Sequence, residues 1–147
     1  MKIELPKLGL VLLVGPSGSG KSTFARRHFR ETEVVSSDRF RGLVADDEND
    51  QSATDDAFAL LHALVRTRLR RGLLTVVDAT NVQAPARKSL LAIAKEAYVH
   101  TSAILFDLPE ALCIERNRAR ADRDFGDHVV RNQIKAMHRS RGGMERE

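Results

Sequence analysis

Leu8-Gly9-Leu10-Val11-Leu12-Leu13-Val14-Gly15-Pro16-Ser17-Gly18-Ser19-Gly20-Lys21-Ser22 decides the fold. Residues 8–14 form an unbroken apolar run of strand length, as in a strand covered on both faces. The run meets Gly15, and Gly15 to Ser22 match G-x-x-x-x-G-K-[ST] at every fixed position. Glycines let a backbone curl so that its N–H groups converge on a phosphate, and a following helix adds its positive N-terminal end. Gly15, Ser17, Gly18, Ser19, Gly20, Lys21, Ser22 and Thr23 are therefore the candidate nucleotide-binding residues. Lys21 is placed to reach the β/γ-phosphates, and the Ser22 hydroxyl to ligate Mg²⁺.

Working outward, a helix is expected from about Lys21 and a short strand at Val34–Ser36. Ser52, with Asp55 three residues on, has the spacing of a capping box. The helix after it should bury Phe58, Leu61, Val65 and Leu69 and end at Gly72. Residues 73–77 read as a third strand stopping at Asp78. Pro85 opens a helix that buries Leu90, Leu91, Ile93 and Ala94. Residues 102–106 read as a fourth strand, and Pro109 opens a helix running through Arg116 to about Arg120. Val130, Ile134 and Met137 mark a last amphipathic helix. Strands alternating with helices predict a parallel α/β sheet with right-handed crossovers. The expected fold is a three-layer P-loop NTPase-type architecture of about four strands, with a helical Arg-bearing lid, in one domain spanning 1–147.

Composition agrees. The chain has 147 residues, 42% hydrophobic and 30% charged, as in soluble globular domains. Its longest apolar run is too short to span a bilayer, and no signal-peptide cleavage pattern follows it. One cysteine, Cys113, excludes an intrachain disulfide, and a cytoplasmic location is expected. Lys+Arg 24 against Asp+Glu 20 leave a net charge of +4. Residues 114–141 carry eight basic and four acidic side chains, a surplus equal to that of the whole chain.

Three further features bear on chemistry. Asp78, at the end of a central strand, suits the Mg²⁺ shell through water, or is an ordinary strand-end cap, as Thr80 and Asn81 also could be. Asp38, read as projecting from the second strand's end, can accept a proton from an attacking hydroxyl. Arg41 can bind an acceptor's phosphate with its fork. The alternative is a helix-capping Asp38 and a solvated Arg41. Arg116, Arg120 and Arg123, spaced i, i+4, i+7, fall on one stripe if helical. Such a lid would stabilise charge on a transferring phosphoryl group, unless the stripe is only a solvated face. No Asn-Lys-x-Asp guanine reader is present. Residues 46–51 fail as a calcium loop, since Gln51 and Ala57 stand where glycine and glutamate are needed. The histidines show no metal spacing.

Together the loop, Ser36-Ser37-Asp38 with Arg41, the acidic run 46–51, Thr75-Val76-Val77-Asp78-Ala79-Thr80-Asn81, Asp107-Leu108-Pro109-Glu110 and residues 115–130 resemble the polynucleotide 5′-kinase family. The likeness is to the kinase domain of the bacterial polynucleotide kinase–phosphatase–ligase. It implies transfer of the ATP γ-phosphate, with Mg²⁺, to a 5′-hydroxyl end of RNA or DNA. It assigns Asp38 as general base, Arg41 to the acceptor phosphate, Gln51 to positioning the acceptor or Arg41, and Arg116, Arg120 and Arg123 to the donor phosphates. It also implies a domain excised from a longer enzyme with phosphatase and ligase domains. A kinase of a small hydroxyl-bearing metabolite and a non-catalytic nucleotide switch are the rival readings. With one tyrosine and no tryptophan, a broad base-stacking platform is not expected.

Overall fold

The computed structural model describes residues 2–5, 8–120 and 126–146. Five-residue β1 (Leu10–Val14) is buried along its whole length and lies inside the sheet. It is followed by α1 (Lys21–His28), β2 (Val34–Ser36), α2 (Ser37–Ala45), α3 (Thr54–Arg70), β3 (Thr75–Asp78), α4 (Ala84–Glu96), β4 (Thr101–Leu105), α5 (Glu110–Ala119) and α6 (Asp127–Ser140). The strands pair in the order β2-β3-β1-β4, all parallel, with Leu13 opposite Asp78 and Ser36 opposite Asp78 from the other side. The C-terminal ends of β1, β2 and β3 thus meet at one edge.

Alternation along β1 makes the three layers. Leu10, Leu12 and Val14 pack with Leu61 and Val65 of α3, Leu90 and Ile93 of α4 and Met137 of α6. Val11 and Leu13 pack on the opposite face with Ala25 and Phe24 of α1. The side-chain period of two in a strand requires this split. A strand covered on both faces has no solvent-facing positions to fill with polar residues, hence the unbroken Leu/Val run.

The structure departs from the sequence reading at the starts of β1 and β3 and at the starts of α2, α3 and α4. β1 begins at Leu10, and Leu8 is exposed; β3 likewise begins at Thr75, leaving Leu73 exposed. Ser52 is not the cap of α3: Asp50 accepts from the Ser52 amide at 2.9 Å and caps the 3₁₀ turn Gln51–Ala53, on which α3 is continuous. Neither Thr80 nor Asn81 caps α4, whose N-cap position is Gln83. Asn81 instead donates to the Leu13 carbonyl at 2.8 Å, tying the turn after β3 to β1. Finally, Asp38 does not project from a strand end. It lies in the first turn of α2, whose N-cap Ser36 accepts from the Arg39 amide at 3.3 Å. A three-residue strand running straight into a helix leaves no loop signal between them.

Candidate active site

The phosphate loop runs from β1 into α1 over the edge where the strands end. Gly18 (φ 81°) and Gly20 (φ 94°) occupy the left-handed backbone region that the turn requires and that other L-residues rarely enter. At Gly18 a β-carbon would lie 2.4 Å from the Cys113 carbonyl oxygen, so α5 packs directly on the loop. The Gly15 amide donates to the Thr80 carbonyl at 2.9 Å, anchoring the loop to the turn after β3. Lys21 is buried, its ammonium donating to the Pro16 carbonyl at 2.9 Å, which holds it across the loop's mouth.

Ser22 and Asp78 stand as the sequence reading placed them. Parallel pairing of β3 beside β1 brings the Asp78 carboxylate to the start of α1, where it accepts from Ser22 Oγ at 2.7 Å. A hydroxyl and a carboxylate beside a phosphate cradle are hard oxygen donors, the set Mg²⁺ takes when phosphate and water complete its shell. The residues therefore fit that ion. Among the described residues no cluster of three His, Cys, Asp or Glu side chains offers a metal site of its own.

On the opposite wall α2 presents Asp38 and Arg41, one turn apart and joined as an ion pair. Arg41 is 8% exposed, and its Nε donates to the Glu48 carbonyl at 2.9 Å, so the acidic 46–51 segment fixes the guanidinium's orientation. Gln51, Thr54 and Phe58 continue this wall. Asp46 caps α2 in a left-handed conformation (φ 59°), which turns the chain back towards α3. The acidic run is thus a backbone support for Arg41 as much as a surface loop.

The third wall is the lid helix. Arg116 projects from α5 over the loop, with Nη1 3.5 Å from where a Gly20 β-carbon would stand. The helix ends at Ala119, one residue before Arg120, whose extended backbone (ψ 108°) breaks the expected continuous stripe. Arg120 still lines the cavity with Arg116. Arg123 lies outside the described residues.

Sequence reasoning missed two contacts that hold the loop. The Ser17 amide donates to Gln133 Oε1 of α6 at 2.8 Å, and Ser17 Oγ donates to Asn117 Oδ1 of α5 at 3.0 Å. Asn117 is 3% exposed and Ser17 is 6% exposed. Asn117 lies one helical turn beyond Cys113, the residue that abuts Gly18, and this spacing was the available signal. Burial pushes the Cys113 thiol above its usual pKa, consistent with a packing role. Arg26 and Arg27 of α1 also line the cavity, four and five residues beyond Ser22.

Loop, α2–α3 wall and lid enclose a shared cavity of about 1020 Å³, with Lys21, Ser22, Asp38, Arg41, Gln51, Asp78, Arg116 and Arg120 all on its lining. No helix among the described residues is long and apolar enough to cross a membrane.

A family profile described as AAA domain matches residues 10–143. The chain is 33% identical over 113 residues to Transcription factor bHLH140 of Arabidopsis thaliana, covering 76% of this chain and 11% of that protein. Among solved structures it is similar to a chain of the Pnkp1/Rnl/Hen1 RNA repair complex, with a TM-score of 0.79 and 24% identity. That match covers 95% of this chain and 47% of the other. It is also similar to the Mycobacterium tuberculosis APS kinase CysC, solved with AMPPNP and APS, with a TM-score of 0.59 and 24% identity. There the coverage is 77% of this chain and 70% of the other. The chain spans about one-tenth of the length of the curated relative and about half of the RNA repair chain. By sequence the protein belongs to the AAA domain family, and its fold is that of a phosphate-loop kinase.

Proposed function

We propose that the domain transfers the γ-phosphate of ATP to the 5′-hydroxyl end of RNA or DNA. The observation that carries the reading is one cavity with a donor cradle on one wall and, on the other, a carboxylate paired with a fixed arginine. The similarity to a chain of an RNA repair complex supports a polynucleotide acceptor.

In this reading Asp38 accepts the proton of the acceptor hydroxyl as its oxygen attacks the γ-phosphorus and the bond to the bridging oxygen of ADP breaks. Arg41 holds the acceptor's own phosphate, and Gln51 positions it. The products are ADP, a 5′-phosphorylated strand and a proton that leaves through Asp38. Lys21, Arg116, Arg120 and Arg123 neutralise the charge spread over the equatorial oxygens. Ser22, with Asp78 acting through water, would hold Mg²⁺, which supplies charge neutralisation of the donor phosphates. Phosphatase and ligase domains in the full-length protein would complete end repair.

A kinase of a small hydroxyl-bearing metabolite is the second reading, favoured by the fold shared with APS kinase. Labelled ATP offered with a 5′-hydroxyl oligonucleotide and, separately, with a free nucleoside distinguishes them. The polynucleotide reading expects label on the oligonucleotide; transfer to the nucleoside with none to the oligonucleotide overturns it.

A further inference from the structure

The cavity continues past the reacting centre along α1. Lys21, Arg26, Arg27, Arg41, Arg116 and Arg120 line it, against two carboxylates, Asp38 and Asp78, which are engaged by Arg41 and Ser22. The transfer reaction has a use for four of those cations, but none for Arg26 or Arg27. Both are exposed in the last turn of α1, a helix whose eight residues include no acid. Among the described residues neither faces a carboxylate; Arg26 Nη2 reaches Thr23 Oγ1 at 3.5 Å. Arg39, Arg66 and Arg131 do face one (Glu31, Glu96 and Glu110), but among the described residues Arg30, Arg70, Arg71 and Arg139 do not. What sets Arg26 and Arg27 apart is that they also line the cavity.

We propose that Arg26 and Arg27 form a second phosphate subsite, which takes internucleotide phosphates of the acceptor strand beyond its terminal nucleotide. The inference rests on the polynucleotide kinase reading and narrows its substrate to a strand of several linked nucleotides. Helical rise puts the two residues about 6 and 7.5 Å past Ser22 along the axis, on the scale of one nucleotide of an extended strand. Guanidinium forks grip phosphate oxygens without reading bases. Phosphate contact also suits a cavity whose rings are committed to packing: Phe24 packs edge-on against Phe106 at 5.4 Å and tilted against the His28 ring at 4.6 Å.

Basic residues in a last helical turn also complement the helix dipole. A purely structural role of that kind would change thermal stability and leave acceptor-length selectivity alone. The test compares wild type, the double variant Arg26→Gln/Arg27→Gln and, as a charge control away from the cavity, Arg66→Gln. Each is assayed for KM with a 5′-hydroxyl octanucleotide, a nucleoside 3′-phosphate and ATP over a range of salt. The subsite predicts that the double variant raises the octanucleotide KM about tenfold. It also predicts a dependence on log salt flatter by roughly 0.7 to 1.4, about 0.7 for each single-strand phosphate no longer gripped. KM for the nucleoside 3′-phosphate and ATP should shift less than twofold, and Arg66→Gln should change nothing. An unchanged octanucleotide KM, or an equal rise for all three substrates, overturns the subsite. Anisotropy with a labelled octanucleotide reads the same interaction without turnover: equal binding by wild type and double variant overturns the subsite alone. Absence of transfer to any 5′-hydroxyl instead overturns the kinase reading.

Discussion

Arg41 shows how much of the candidate site was legible one residue at a time. Its placement three residues after Asp38 suggested a base and, separately, a fork for the acceptor's phosphate; that the two are joined as an ion pair was not foreseen. What the spacing did not contain is the Glu48 carbonyl, seven residues on, that orients the guanidinium. That bond depends on a left-handed Asp46, which returns the chain towards Arg41. Ser22 and Asp78 were legible for a different reason: a fixed motif and a strand-end acid need only parallel pairing to meet. If Arg41 binds the acceptor's phosphate, Arg41→Ala should raise KM for a 5′-hydroxyl oligonucleotide tenfold or more and change KM for ATP less than twofold. A rise confined to ATP would reassign the arginine to the donor.

Helices α5 and α6 hold the loop through contacts that only tertiary packing reveals. Gly18 is left-handed and meets the Cys113 carbonyl, so Gly18→Ala adds both backbone strain of about 1–2 kcal/mol and a clash with a rigid helix. Its urea midpoint should fall accordingly; an unchanged midpoint would show that α5 does not pack on the loop as described. Gln133 accepts the Ser17 amide, and Gln133→Leu would leave that donor without its partner, at about 1–3 kcal/mol. The expected result is an ATP KM raised about tenfold with the oligonucleotide KM unaltered. A change in acceptor KM alone would place Gln133 on the other side of the reaction. Helix α2 was missed as an element for a related reason. Its nine residues include Gly42 and follow β2 without a break, so no periodic run separates it from the strand.

Across the whole molecule the apolar run at β1 and the alternation of strands and helices were enough to predict the sheet, because period and burial on both faces are local properties. Strand order was not legible: β1 sits between β3 and β4, and that order is a product of crossovers rather than of any one segment. The C-terminal helix is tied to the sheet's edge by Asp107, which accepts from Arg141 and bonds His138 at 3.1 Å. Those two hydrogen bonds hold the Asp107 carboxyl below the usual carboxylate range. A depressed folded-state pKa stabilises the fold above the ordinary value of about 4 and is lost as pH falls through the folded value. Asp107→Asn should therefore lower stability at pH 7, by at most about 1 kcal/mol for so exposed a cluster. The difference should vanish as pH falls below 4, as thermal melts across pH would show. A difference that grows in acid would contradict the assignment.

The proposed function rests on γ-phosphate transfer to a 5′-hydroxyl with Asp38 as base. Single-turnover transfer from labelled ATP to a 5′-hydroxyl oligonucleotide, in wild type and Asp38→Ala, tests it most directly. Wild type should transfer the label, and the variant should do so at least about 10²-fold more slowly while still binding ATP. Equal rates in the two proteins, or no label on the oligonucleotide with either, would contradict it.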